Sequence, residues 1–292
     1  MVNKKKKLNI IITNSFQNDF IEPIDDLANS QEQNGLKLDF EMCQDKWIEY
    51  FGNQNRTVDE ATIMEFISWL KSNTQSQNID TPVSYHKILE KYKHRVHINF
   101  EESKRLWKEG RLNQFIIDLM KRASEENNNE SGEAEYQFIH LRDWHDQTDV
   151  SQRGELDHFG VHCLKGTYGS KFTNPLDDQI NKHPEFNVVL NSNSISSFEE
   201  TDLEYVLNTI IKNAGSSKKD VNIGVFGVIT NVKVQLLVYE LKIIHNIQNV
   251  YVCKDFCAAF NNRGHLSGID AITAIYAANV ADETKFREIF NI

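Results

Sequence analysis

A chain of 292 residues with 40% hydrophobic and 25% charged side chains has the composition of a globular protein, not of a disordered segment. Its 42 acidic residues outnumber 32 basic ones, and a net charge of -10 argues against a nucleic-acid partner, because phosphate binding needs a basic face. No stretch approaches the roughly 20 uninterrupted apolar residues of a spanning helix, which argues against a membrane partner. Lys4 to Lys7 look like the charged start of an export signal, but the apolar run behind them breaks at Thr13 and Asn14. Cysteines at 43, 163, 253 and 257 make no disulfide framework. The expectation is a reduced, soluble, cytoplasmic protein.

In chain order, Leu8-Asn9-Ile10-Ile11-Ile12 is a β-branched run without helical period, as expected of a parallel strand buried on both faces. The stretch 21–100 follows, rich in Asn, Gln and Ser. Its clearest helical pieces are 40–51 and 61–70, and it reads as a helical insertion with Trp47, Phe51, Phe66 and Trp69 to offer a partner surface. Glu101 to Arg122 is helical in spacing, and Ser124 to Glu135, with its Asn triplet and glutamates, reads as an exposed loop. Strands are expected at 137–142, 187–191, 222–227 and 249–253. Helices are expected over Asp202 to Lys212, with Thr201 as a cap, then over Val232 to His245 and Ile269 to Ala278. Strands alternating with helices predict an α/β fold, a mostly parallel sheet with helices on both faces, as one domain over 1–292. Such sheets bind ligands at the carboxyl ends of their strands.

Four strand-end motifs then appear in order. They are Asn14-Ser15-Phe16-Gln17-Asn18-Asp19-Phe20, Arg142-Asp143-Trp144-His145, His162-Cys163-Leu164-Lys165-Gly166-Thr167-Tyr168-Gly169, and Gly227-Val228-Ile229-Thr230-Asn231-Val232-Lys233-Val234. Together they resemble the isochorismatase-like (cysteine hydrolase) superfamily, which includes nicotinamidases and N-carbamoyl amidohydrolases. The resemblance covers residues 8–20 and about 100–290. It implies a Rossmann-like three-layer fold, assembly into oligomers, and a catalytic Asp, Lys and Cys at three strand ends. This chain carries Ser15 at the position of the acid, Asn191 (or, one residue on, Ser192) at that of the lysine, and Lys233 at that of the thiol.

A serine cannot serve as a general base near neutral pH. Lys233 lies at the first turn of a helix, whose positive end favours a neutral amine, so a Schiff-base nucleophile is one reading. A lysine bonded to a carboxylate, to backbone carbonyls or to a bound anion is the other. The cysteines at 163, 253 and 257 read as small buried residues. The resemblance also implies a cis peptide before Ile229, aiming backbone N–H groups at a ligand.

Asp143, His145 and His162 match the metal positions of the nicotinamidase branch, with His158 or Asp149 as a fourth ligand. Nitrogen and oxygen donors of this kind suit zinc, manganese or iron. In metal-free relatives the same residues tie the loop together. His86, His94 and His97 have no ligand spacing, and no phosphate-binding glycine motif is present.

Three functions are therefore weighed. The first is a catalytically inactive module for ligand sensing, scaffolding or assembly, without a resident cofactor. It would form a homo-oligomer or engage a protein partner through 21–100, with a pocket of Ser15, Asp143, His145, Asn191, Ile229 and Lys233 for a small anionic or carbonyl ligand. The second is a C–N hydrolase using Lys233, Ser15 and Asp143. The third is a metal-dependent binding protein using Asp143, His145 and His162.

Overall fold

The computed structural model describes residues 6–22 and 97–292. The helical pieces expected at 40–51 and 61–70, their aromatic residues, and His86 and His94 lie outside the described residues. Strand β1 (Lys7–Asn14) leads into a single-turn helix α1 (Asn18–Ile21). After the insertion come α2 (Phe100–Trp107), α3 (Arg111–Asn128), β2 (Ala134–Asp143), α4 (Arg153–Phe159), α5 (Leu176–Lys182) and β3 (Asn187–Ser192). The chain continues through α6 (Leu203–Asn213), β4 (Asn222–Val228), α7 (Gln235–Tyr239), β5 (Asn249–Ala258), α8 (Asn262–Ala274), β6 (Asn279–Ala281) and α9 (Glu283–Phe290).

All six strands are parallel, in the order β3-β2-β1-β4-β5-β6. From Leu8 onward β1 is buried at every position, as is all of β4, so both faces of the sheet centre are covered. On one face Phe115 of α3 stacks on Phe256 of β5, with ring centroids 4.3 Å apart, and meets Phe226 of β4 and Phe286 of α9 edge-on. Strand order reverses between β1 and β4. The crevice at their carboxyl ends is where a sheet of this kind binds ligands, and Ser15 and the turn leading to Lys233 lie there.

The expected strands all form, with β5 running five residues further and crossing a register shift against β4 between Val225 and Gly227. The single helix expected over Glu101 to Arg122 is two, because Glu109 (φ 51°) and Gly110 (φ 72°) are left-handed and break it. The segment Ser124 to Glu135 is not an exposed loop throughout. Helix α3 continues to Asn128, Glu126 is buried with its carboxylate bonded to Arg122 and to the Glu133 backbone N–H, and Asn127 pairs with both backbone groups of Tyr136. Polar composition there reflects local bonding, not solvation. Thr201 does accept a hydrogen bond from the Leu203 N–H at the start of α6. Helix α8 begins seven residues earlier than expected, where Asn261 caps it by accepting from Gly264 N–H. The helix expected from Val232 is π-helical at both ends of α7. Strand β6 and helix α9 were not expected.

Candidate functional site

The crevice is assembled from four chain segments. Gln17, fully buried, makes three hydrogen bonds: its side-chain N–H groups go to the carbonyls of Asp143 (2.7 Å) and Ser170 (3.0 Å), and its oxygen accepts from Asp143 N–H (2.7 Å). Asp19 accepts from Cys163 N–H at 2.7 Å, and Asn18 donates to the Tyr168 carbonyl. The motif after β1 therefore fastens the end of β2 to the His162–Gly169 loop. That loop also pairs with His145 through Cys163 O and Lys165 N–H. Across the crevice, Gly227 closes against β1, where an added Cβ would lie 2.2 Å from the Asn14 carbonyl oxygen. The Val228–Ile229 peptide is cis, as the resemblance implies, and Ile229 is buried at the head of the helix that carries Lys233.

Lys233 is buried, and its ammonium donates to Asp143 Oδ1 (2.6 Å) and the Ser194 carbonyl (3.2 Å) and lies 3.3 Å from Glu155 Oε1. An ammonium has three N–H bonds, and three acceptors surround it. Burial alone would favour the neutral amine, but Asp143 and Glu155 outweigh it and raise the Lys233 pKa above its ordinary value. Burial likewise pushes Asp143 up, yet Lys233, helped by His145 and His162, holds it well below the usual carboxylate range. Ser15, in left-handed backbone (φ 53°), has its hydroxyl 2.8 Å from Asn14 Oδ1 and 3.2 Å from Asp143 Oδ1, and its one proton serves either acceptor.

The two imidazoles face the same carboxylates. His162 Nδ1 donates to the Gly160 carbonyl (2.7 Å) and His145 Nδ1 to Gln152 Oε1 (3.3 Å), so each Nε2 is turned inward toward Asp143 and Glu155. His162 Nε2 lies 3.5 Å from Asp143 Oδ2 and 4.0 Å from Glu155 Oε1, and His145 Nε2 is 3.9 Å from both. Asp143 Oδ2 and His145 Nε2 are buried without a hydrogen-bond partner. Donor atoms of Asp143, His145, Glu155 and His162 lie within 4.8 Å of one another. Tetrahedral ligands at about 2.0–2.2 Å from a cation stand about 3.3–3.6 Å apart, so a divalent metal would have to draw these donors inward. Outward Nδ1 bonds of this sort orient metal-binding imidazoles.

The fourth donor is Glu155, not His158 or Asp149. His158 is exposed and outside the donor cluster, and Asp149 is bonded to Ser151 and Gln152. Glu155 had a readable signal: Glu155, Leu156 and Phe159 recur at helical spacing and are the less exposed positions of α4, in line with the buried Gln152 just before it. Asn191 is exposed and bonds Arg142 (2.6 Å), away from the cluster, while Ser192, the one-residue alternative, is buried and bonds the Ser194 and Ser196 carbonyls. The structure thus brings together Ser15, Asp143, His145, His162 and Lys233, with Ile229 at the helix head, and leaves Asn191 outside. Burial raises the thiol pKa of Cys163 and Cys253 well above normal and that of Cys257 up to about 12, which favours the thiol over the thiolate at each.

This parallel sheet, with its centre at the β1–β4 crevice, is the fold of the isochorismatase-like hydrolases. The nicotinamidase/pyrazinamidase of Bacillus subtilis superposes with a TM-score of 0.53 at 14% identity, covering 94% of this chain and 100% of that one. An isochorismatase-like hydrolase from Alkaliphilus metalliredigens gives a TM-score of 0.50 at 16% identity, over 97% and 99% of the two chains. An isochorismatase family protein from Desulfovibrio vulgaris gives 0.50 at 13%, over 98% and 100%. No protein-family model and no curated protein matches the sequence. Among the described residues no helix is long and apolar enough to cross a membrane.

Proposed function

We propose that this chain is a non-hydrolytic protein of the isochorismatase-like fold, a ligand-sensing or assembly module and not an amide hydrolase. The observation that supports this is the engagement of Lys233. Covalent attack on a carbonyl needs a lone pair, and the Lys233 nitrogen is held as an ammonium between Asp143, Glu155 and the Ser194 carbonyl. Ser15 has only Asp143 to take its proton, and a carboxylate so far below its ordinary pKa is a weak base. A small anionic or carbonyl ligand would be sensed by competition, by drawing the ammonium away from its carboxylates. The buried free thiols of Cys163, Cys253 and Cys257 suit a reduced, cytoplasmic setting.

Ammonia release from nicotinamide and from an N-carbamoyl amino acid tests the reading. Purified protein is expected to give the rate of buffer alone. Turnover above that rate, lost in Lys233→Ala, would identify a working hydrolase and overturn it. A second reading, a metal-dependent binding protein, is favoured by the bare buried atoms Asp143 Oδ2 and His145 Nε2. Metal content of the purified chain tests that one.

A further inference from the structure

Asp143, His145, Glu155 and His162 bring two buried carboxylates and two inward Nε2 atoms together, and the carboxylates repel each other unless something positive sits against them. Lys233 supplies one positive charge, and it does so through the donor set itself. Its ammonium lies 2.6 Å from Asp143 Oδ1, leaving Oδ2 to face the imidazoles, and 3.3 Å from the same Glu155 Oε1 that stands 3.9 and 4.0 Å from the two Nε2 atoms. A divalent cation bound by these donors would have to share Glu155 Oε1 with the ammonium and accept a like charge beside it, in a centre whose side chains are all at most 7% exposed. The Ser15 hydroxyl also lies 3.2 Å from Asp143 Oδ1, its one proton shared between that oxygen and Asn14 Oδ1.

We propose that Lys233 is a resident cation that stands in for a metal: it holds the Asp143–His145–Glu155–His162 centre together without one and suppresses divalent-cation binding there. Removing the ammonium uncovers a two-imidazole, two-carboxylate site of the class that takes zinc or manganese. The inference uses the same Lys233 contacts as the functional reading above, but its test does not involve turnover, so the two fail separately.

The test titrates zinc and manganese into metal-stripped wild type, Lys233→Met and Lys233→Gln, following heat and bound metal, with thermal melts in chelator and in zinc. Both variants are expected to bind one equivalent of zinc about 10- to 100-fold more tightly than wild type. Their melting temperature should rise in zinc by more than that of wild type, and adding His162→Ala to Lys233→Met should abolish the gain. A variant that is soluble only when zinc is present counts as support. Wild type that binds zinc as tightly as the variants would overturn the proposal. So would folded variants that bind none, or a Lys233→Gln chain that is unfolded both with and without zinc.

Discussion

His140, three residues before Asp143 on β2, shows how a side chain at this crevice is fixed by its partners. It is fully buried, with Nδ1 2.7 Å from the Thr13 hydroxyl and Nε2 2.7 Å from Asn187 Oδ1. The Asn187 amide also donates to the His183 carbonyl, so its oxygen is the acceptor and Nε2 carries the hydrogen. Nδ1 then accepts from Thr13 in the neutral ring, and a second proton there would charge an imidazole shut away from water. Burial accordingly lowers the His140 pKa to about 4, against the smaller raising effect of Asn187. Its unfolded value is about 6.5. Above pH 6.5 neither state binds the proton. Between 6.5 and 4 the unfolded chain binds it and the native chain does not, so stability falls with pH across that window and levels off below 4. The loss attributable to His140 is about 3 kcal/mol. Urea unfolding at pH 7.0 and 4.5 is expected to show wild type losing more stability than His140→Gln. His265 is similarly lowered to about 4, and it contributes to both proteins alike.

At the scale of elements, the loop His162–Gly169 and the helix α1 behave as one piece. Gly169 O accepts from Asp19 N–H, and an added Cβ on Gly169 would fall 2.1 Å from the Asp19 carboxylate that holds Cys163 N–H. Gly169→Ala is therefore expected to break this clasp and cost about 1–3 kcal/mol or more, as overpacking does. Chemical denaturation measures the cost, and a variant within 0.5 kcal/mol of wild type, the range of ordinary surface substitutions, would refute it. The same clasp shows what could be read in advance. Gln17, Asp19, Asp143 and His145 lie in motifs that follow strands, with His162 in the loop they clasp, and the strands announce themselves because burial on both faces leaves long β-branched and apolar runs. Glu155 was harder to read because α4 has seven residues, one fully buried apolar side chain, and a neighbouring histidine with the more familiar ligand chemistry. Asn191 was misplaced because side chains alternate along a strand: a shift of one residue takes Ser192 inward and Asn191 outward. Polar residues in α3 were misread as a loop because Glu126 and Asn127 spend their side chains on nearby backbone, that of Glu133 and Tyr136, and not on solvent.

For the molecule as a whole, residues 23–96 fall between β1 and β2, and the six strands of the described residues lie outside that stretch. The chain leaves and returns at one place. Ile98 N–H donates to the Phe20 carbonyl at 3.1 Å, the Glu22 carbonyl lies 3.1 Å from His97 Nε2, and Trp107 Nε1 donates to the Ile21 carbonyl at 2.7 Å. Ends this close can be joined by a short linker, and loop closure costs less for a shorter connection, by about 0.6 kcal/mol for each halving. Replacing 23–96 with a linker of about six Gly and Ser residues, long enough for so short a span, is expected to leave a cooperatively folding α/β protein. Its circular dichroism should keep the helix and parallel-sheet signature, and Lys233 should remain paired with Asp143 and Glu155. Light scattering on both proteins then addresses assembly. A full-length oligomer reduced to a monomer by the excision places the self-association surface in 23–96, as the aromatic content of that segment suggests. An excised protein that keeps the oligomer mass would move that surface to the sheet domain, where Tyr205, Ile243, Ile244, Leu266 and Ile275 are exposed. Loss of cooperative unfolding in the excised chain would show that the sheet domain depends on the insertion for its stability.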